Sequence, residues 1–374
     1  MTVSMTRRRV GPNRTSAVAA GVLFAVLALI LFAVPHTARA EGDGESTHTA
    51  ARITLPVGMS SMATGVASDP KAHILYTADH DQVLAVNELT GVITVFGLGL
   101  GGPVDAVAVD PDYDEVFATQ TDEYGNTWVH VFAGSAHSNI ATIPVPGGAS
   151  ALAVDHRTHT LVAVGYGSGG TGSAGTLTFI NEDTNSVSST LAIGRDPEAV
   201  AIDQFARVAY ATSQVDNSVW VIDLDGRAVK SVVAVGGAPA GVAVDQVSHE
   251  AFVTNWADDS VSVITSIHSP LGEDPVYSVA ETIGVPDQPW GVAVDSSTQL
   301  VYVAPEGAHA VTMINERSGA ISESVGPVDG NPWFVAVDET LHAAFVTSRS
   351  GTAIVVVSTA PELAPSPTCT LSWC

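Results

Sequence analysis

Short apolar runs that end in an aspartate recur along the chain. Each run has five residues, with alanine in its third position and aspartate in its fifth. The seven copies are Gly65–Asp69, Ala106–Asp110, Ala151–Asp155, Ala199–Asp203, Gly241–Asp245, Gly291–Asp295 and Phe334–Asp338. Successive aspartates lie 41 to 50 residues apart. Self-similarity at such a period predicts a repeat protein whose units bury their apolar faces against each other.

Further apolar runs follow within each repeat, separated by polar turn residues. In the fifth repeat they are Gly241–Val244, Glu250–Asn255, Ser260–Ile264 and Ser278–Val285. Runs of four to eight residues rich in Val, Ile, Thr and aromatic side chains predict strands. Four antiparallel strands in 40 to 50 residues are typical of one blade of a β-propeller. The first run is apolar nearly throughout, which predicts the innermost strand, beside the central axis.

The last repeat lacks a fourth strand. Phe334–Val337, Ala343–Thr347 and Ala353–Ser358 predict three strands, and the proline-rich segment 361–367 cannot supply another. Residues 51–57 form a lone predicted strand before the first repeat. We therefore predict an all-β chain, a seven-bladed propeller of four-stranded antiparallel blades over 51–359. The N-terminal strand 51–57 completes the last blade and closes the ring.

The motifs of the fifth repeat point to a family. Val242–Asp245 (VAVD), Phe252–Asn255 (FVTN), Ser260–Ile264 (SVSVI) and Thr282–Pro286 (TIGVP) resemble the YVTN family of bacterial β-propeller repeat proteins. The resemblance covers nearly all of 51–359 and implies a secreted or surface-held seven-bladed propeller. The third repeat departs from the pattern, with the glycine-rich segment Gly165–Gly175 in place of a short turn.

The charge of the chain restricts its partners. The formal net charge is −25 at pH 7, and residues 41–374 hold nine basic residues against all 39 acidic ones, which gives −30. A surface this acidic repels phosphate backbones, so nucleic acid is excluded as a partner. It is compatible with cationic partners, or with solubility outside the cell.

The N-terminus has the pattern of an export signal. Arginines at 7–9 precede the uncharged apolar run Ala17–Val34, and Ala38–Ala40 offers a small-x-small cleavage site. We predict a signal peptide over 1–40, a flexible lead over 41–50 and a secreted or cell-surface protein. An uncleaved membrane anchor is the alternative, because 18 apolar residues just suffice to span a bilayer.

Both cysteines lie in the C-terminal tail, 360–374. Cys369 and Cys374 can close a small disulfide loop in an oxidising compartment. They can also stay free or pair between chains, and the sequence leaves these alternatives open.

Tryptophans gather on one predicted face. Trp290 and Trp333 each follow a proline and precede the inner strand of the sixth and seventh blades, and Trp256 follows the second strand of the fifth. Asp287, Asn331 and Arg349 fall on the same face. An aromatic floor with an acidic rim predicts a site for a cationic or sugar ligand. The alternative is that the tryptophans only plug the channel mouth.

No catalytic residue, metal site or cofactor is predicted. There is no Gly-x-Ser-x-Gly elbow and no paired-cysteine metal signature. The triplet Asp79–Asp81 is interpreted as a surface turn and the repeated aspartates as turn anchors. The histidines of the first turns, such as His73 and His159, are placed on the opposite face from the tryptophans.

The sequence thus predicts a monomeric binding or scaffold module that offers one face to a protein, peptide or glycan. The alternative is a secreted propeller enzyme of the lactonase-like, streptogramin-lyase-like or quinoprotein-related type. Such an enzyme needs carboxylates and histidines converging on the channel around a metal or cofactor.

Overall fold

The computed structural model describes residues 48–55, 65–97, 102–167, 169–170, 172–267, 274–328 and 330–358. These residues form 28 strands and contain no helix. It follows that no helix long and apolar enough to cross a membrane occurs in the described part of the chain. The predicted signal segment and both cysteines lie outside the described residues.

The strands follow one another with short connections. In chain order they are β1 (Thr49–Thr54), β2 (Val66–Asp69), β3 (Ile74–Asp79), β4 (Gln82–Asn87), β5 (Ile93–Gly97), β6 (Val107–Asp110), β7 (Glu115–Thr121), β8 (Thr127–Ala133), β9 (Asn139–Pro144), β10 (Ala151–Asp155), β11 (Thr160–Gly165), β12 (Ala174–Asn181), β13 (Ser186–Arg195) and β14 (Val200–Asp203). The second half comprises β15 (Val208–Ser213), β16 (Ser218–Asp223), β17 (Ala228–Ala234), β18 (Pro239–Val244), β19 (Ala251–Asn255), β20 (Ser260–Ile267), β21 (Val276–Gly284), β22 (Pro289–Asp295), β23 (Leu300–Pro305), β24 (Val311–Asn315), β25 (Ala320–Val325), β26 (Pro332–Asp338), β27 (Ala343–Ser348) and β28 (Ala353–Ser358).

The strands pair into seven antiparallel sheets of four. Six sheets use consecutive strands: blade one is β2–β5, blade two β6–β9, blade three β10–β13, blade four β14–β17, blade five β18–β21 and blade six β22–β25. Blade seven has the order β26, β27, β28, β1. The predicted fold, an all-β seven-bladed propeller, is confirmed.

The N-terminal strand closes the ring, as predicted. Its six residues pair with β28 from Thr49 opposite Ser358 to Thr54 opposite Ala353. The strand begins two residues before the predicted start at 51, and residues 56–57 of the predicted strand lie outside the described residues. Pairing the first strand with the last gives blade seven its fourth strand and covers the edge that β28 would otherwise expose, with β1 as the outer strand of the blade.

The apolar core consists of seven clusters, one at each junction between neighbouring blades. The alanine of each inner-strand repeat packs into these clusters, as Ala67 and Ala336 do. The residue before it packs into the cluster on the other side of the blade and also lines the central channel, as Val66 and Val335 do. The small alanine thus lets neighbouring blades approach closely near the axis.

The repeated aspartates are turn anchors, as predicted. All seven are buried, and each Oδ1 accepts the backbone N–H of the residue two positions later. Two positions beyond that donor, the backbone is left-handed in every blade, with φ between 47° and 63°. The residues at this position are His73, Asp114, His159, Arg207, His249, Gln299 and His342. A fixed turn therefore presents one variable side chain at the end of each inner strand.

Candidate functional site

Two sets of loops share one face of the ring, which we call the top face. One set joins the fourth strand of a blade to the first strand of the next, and the other joins the second strand to the third. Their backbones hydrogen-bond to each other, for example from the Trp256 N–H to the Ala238 carbonyl at 3.1 Å. The opposite, bottom face carries the turns that follow the repeated aspartates.

A stack of three side chains stands on the top face between blades six and seven. The rings of Trp290 and Trp333 stack with centroids 4.2 Å apart and planes 17° from parallel. The Arg349 guanidinium lies 4.3 Å from the Trp333 ring centroid, and its Nη1 is 3.4 Å from Glu306 Oε1. Trp333 is therefore covered by Trp290 and by a cation of its own chain. Arg349 therefore occupies the position beside the Trp333 ring where the sequence predicted a cationic ligand.

The other predicted ligand residues border this stack or lie apart from it. Asn331 accepts the Arg349 backbone N–H at 2.8 Å through its carbonyl, and exposed Asp287 lies in the loop before Trp290. Trp256 is half-buried in blade five, and its indole Nε1 has no hydrogen-bond partner among the described residues. The structure thus joins Trp290, Trp333 and Arg349 directly. Ligand binding by the six residues remains a prediction.

A large cavity lies elsewhere on the top face. It is a groove of about 1120 Å³ over blades two and three. Its walls carry three aromatic and three acidic side chains, and no Lys or Arg is found among its described lining residues. The six are Tyr124, Trp128, Tyr166, Asp105, Asp122 and Glu123. Part of one wall comes from the glycine-rich segment of the third repeat and includes Tyr166, Gly167, Gly169 and Gly170.

Two carboxyl groups beside the groove are perturbed by burial. Burial raises the pKa of Asp105, although Thr121 Oγ1 donates to its Oδ2 at 3.1 Å. Burial likewise raises the pKa of Glu198, although the Tyr166 hydroxyl donates to its Oε1 at 3.2 Å. Perturbed carboxyl groups in a cleft are common in functional sites.

Glu198 also faces the central channel. A cavity of about 160 Å³ on the axis is lined by the starts of all seven inner strands, and its lining includes Glu198 and Trp290. Glu198 is the only charged residue of that lining in the described part of the chain. The channel is therefore apolar with one acidic group.

One repeat position supplies the variable groups at the channel mouth. It is the residue directly before the five-residue repeat, and in blades two to seven, where it is described, its occupants are Asp105, Ser150, Glu198, Ala240, Trp290 and Trp333. Sequence reasoning selected only the two tryptophans. The same position in blades two and four would have identified Asp105 and Glu198.

On the bottom face, the repeated aspartates also connect neighbouring blades. Nδ1 of His73, His159, His249 and His342 lies 2.9–3.1 Å from the Oδ2 of the aspartate in the preceding blade. In blade four the equivalent side chain is Arg207, whose Nη1 lies 2.5 Å from Asp155 Oδ1. The sequence predicted these histidines on this face but not their aspartate partners. Each aspartate lies about one repeat, or nearly the whole ring, away from its histidine along the chain.

At three blade junctions, a glutamate lies beside the repeated aspartate of the preceding blade. Glu88, Glu182 and Glu316 each follow the third strand of their blade, and their backbone N–H donates to the carbonyl of the left-handed residue at 2.9–3.1 Å. Burial, with a hydrogen bond to the neighbouring aspartate, raises the pKa of Glu88 and Glu182 to about 9 and that of Glu316 to about 7. The pattern Asn-Glu-x-(Thr/Ser)-(Gly/Asn) marks all three turns in the sequence.

Two triads at these junctions have the geometry of a metal-binding group. The ligand atoms of Asp110, His159 and Glu182 all lie within 4.8 Å of one another. The same is true of His73, Glu88 and Asp338.

Two further sequence interpretations can be compared with the structure. His80 Nδ1 lies 2.8 Å from Asp79 Oδ1 in the turn between β3 and β4, so the Asp79–Asp81 triplet is a turn on the top face. Asp223 Oδ1 accepts the backbone N–H groups of Asp225 and Gly226 at 3.1 and 3.2 Å, as a turn residue does.

The structure defines the class of protein: a seven-bladed β-propeller with four-stranded antiparallel blades. No protein-family model matches the chain, and no curated protein does. The YVTN resemblance therefore stays a prediction.

Proposed function

We propose that this propeller is an exported binding module that holds a positively charged peptide segment on its top face. The observation that carries the proposal is the groove of about 1120 Å³ with aromatic and acidic walls. Single small-molecule sites usually have volumes of about 300–1,000 Å³, so a groove of this size suits an extended ligand better.

The chemistry of the walls favours a cation. Trp128, Tyr124 and Tyr166 offer aromatic faces to Lys or Arg side chains. The Asn126 side chain and neighbouring backbone N–H groups hold the pKa of Asp122 below its usual value, so this carboxylate is ionised at neutral pH. The strongly acidic chain adds long-range attraction for a cationic partner.

Export is part of the proposal. The arginines before an apolar run and the Ala38–Ala40 site support it. We expect N-terminal sequencing of the protein from the culture medium to begin at Glu41. A chain found only in the membrane fraction and retaining residues 1–40 would instead support the anchor alternative.

The binding proposal can be tested with an arginine hexapeptide as probe, titrated by calorimetry into the mature chain at physiological salt. Trp128→Ala removes an aromatic wall, and we expect it to weaken binding about tenfold or more because a stacking partner for the guanidinium is lost. Phe205→Ala is the matched control, since Phe205 is 75% exposed and follows a bottom-face aspartate.

Equal affinity of the wild type and Trp128→Ala would show that the probe binds only through net charge, and the groove proposal would fail. The same titration with Trp290→Ala tests whether the tryptophan stack contributes a second contact. Binding unchanged in that variant would confine the ligand to the groove.

A further inference from the structure

The junction between blades two and three concentrates titratable side chains on the bottom face. Asp110 ends the inner strand of blade two, and His156, His159 and Glu182 come from two turns of blade three. His159 Nδ1 lies 2.9 Å from Asp110 Oδ2 and 4.0 Å from Glu182 Oε2. His156 Nδ1 lies 3.6 Å from Asp110 Oδ1.

These separations suit a small divalent ion. Tetrahedral ligands held about 2.0–2.2 Å from a zinc ion lie roughly 3.3–3.6 Å from one another. The observed distances of 2.9, 3.6 and 4.0 Å bracket that value. Asp110, His159 and Glu182, whose ligand atoms all lie within 4.8 Å of one another, can therefore surround one ion after small shifts, while His156 contacts only Asp110.

Burial of the glutamate gives independent support. Glu182 is only 2% exposed, and apart from the neighbouring Asp110 carboxyl no group among the described residues hydrogen-bonds to either of its carboxylate oxygens. Glu115 Oε2, in the neighbouring strand β7, is also buried without a partner. An uncompensated buried carboxylate is costly, so carboxylates packed this closely need a cation, either a shared proton or a metal ion.

At other blade junctions, a side chain of the protein supplies the positive charge beside the repeated aspartate. At the junction of blades three and four, the Arg207 guanidinium contacts both Asp155 and Asp225. At the junctions of blades four and five and of blades six and seven, a histidine meets the aspartate and no glutamate directly follows the third strand. Among the described residues, a histidine, a glutamate and the repeated aspartate come together only where blade three or blade one meets the preceding blade.

We propose that the bottom face binds zinc or a similar first-row divalent ion between blades two and three, through Asp110, Glu182 and His159. The His73–Glu88–Asp338 triad between blades seven and one is a second site of the same type with three protein ligands. Imidazole nitrogen with carboxylate oxygen suits zinc, whereas calcium and magnesium prefer oxygen ligands alone. Each ion would cross-link two neighbouring blades.

The test uses the untagged full-length mature chain, stripped with chelator and titrated with Zn²⁺ by calorimetry. We expect about two ions per chain at pH 7.5, and a higher melting temperature with Zn²⁺ than with chelator. Glu182→Gln should reduce the count to about one, and Glu88→Gln with Glu182→Gln should remove saturable binding. Gln has nearly the shape of Glu and can donate to Asp110, so these variants are expected to fold.

His249→Gln is the matched control, because His249 bonds to an aspartate in the same way without a neighbouring glutamate. It should leave the stoichiometry and affinity unchanged. Substituting Co²⁺ gives a second readout, since the visible absorption of the tetrahedral ions should fall to about half in His159→Gln, which leaves the second site intact. The proposal is overturned if the wild type shows no saturable Zn²⁺ binding, or if Glu182→Gln binds as the wild type does. It is also overturned if His249→Gln loses as much binding as His159→Gln.

Discussion

At the scale of single residues, the repeated aspartate performs two tasks with its two oxygens. Asp203 Oδ1 accepts the backbone N–H groups of Phe205 and Ala206 at 3.0 and 2.8 Å, which fixes the turn. Its Oδ2 lies 3.1 Å from Nδ1 of His249 in the next blade. The residue is fully buried, so both interactions replace contacts with water.

These two tasks can be separated by mutation. Asp203→Asn keeps an oxygen for the turn and loses the carboxylate facing His249, so we expect a loss of about 1–2 kcal/mol in the free energy of unfolding. Asp203→Ala loses both and should cost about 3 kcal/mol or more. Urea unfolding measures both values, with exposed Asp274→Asn as the control. Equal losses of stability in the Asn and Ala variants would contradict the assignment of the turn to one carboxylate oxygen and of His249 to the other.

Glu316 makes the junction of blades five and six sensitive to pH. Burial and the neighbouring Asp245 raise its pKa to about 7 from an unfolded value of about 4.5. A raised pKa means that the folded state holds a proton that the unfolded state releases. The stabilisation is therefore complete below about pH 4.5 and lost as the pH rises through about 7.

Glu316→Gln removes this dependence. Because the side chain is only half-buried, we discount the effect to about 1–2 kcal/mol. The free energy of unfolding of the variant, relative to wild type, should rise by that amount between pH 5 and pH 8. Denaturant titrations of both proteins at the two pH values provide the measurement. A stability difference between variant and wild type that is the same at both pH values would contradict this prediction.

At the scale of strands and turns, the repeat made most of the fold predictable. Inner and second strands, such as β18 and β19, are short, apolar and bounded by turn residues, so their periodicity locates them. The closing strand was predictable because the last repeat lacked one strand. Its start at Thr49 was not predictable, because the sequence of Thr49 and Ala50 shows no strand pattern. Only their pairing with β28 makes these residues part of the strand.

The side-chain contacts between blades were less predictable. His73 and Asp338 are 265 residues apart and meet only because the ring closes. The groove was missed because its walls come from several loops, whose sequences show no shared pattern. The stack of Trp290 on Trp333 follows from their equal positions in adjacent blades, but the contact with Arg349 depends on side-chain geometry that the sequence does not encode simply.

At the scale of the whole molecule, stability depends on closing the ring. β1 contributes to two of the seven clusters: Ala50 packs at the junction of blades six and seven, and Ile53, with Leu55 just after the strand, at that of blades seven and one. Without β1, both junctions lose apolar contacts and β28 exposes an unpaired edge. An exposed edge strand favours pairing with another chain.

Three chains that all end at Ser358 would test this dependence. A chain starting at His48 keeps β1 and should unfold cooperatively, while one starting at residue 56 should lose at least several kcal/mol and associate through β28. In the third, residues 49–55 follow Ser358 through an Asn-Gly turn. Thr49 lies opposite Ser358 in an antiparallel pair, so a two-residue hairpin turn can join them.

The relocated strand should restore the monomer and most of the stability, because the same contacts form from the other end of the chain. Urea unfolding and sedimentation measure both properties. If the chain starting at residue 56 were as stable and monomeric as the chain starting at His48, closure by β1 would not stabilise the ring. If the relocated strand failed to rescue, the loss would come from residues 48–55 acting in some way other than pairing with β28.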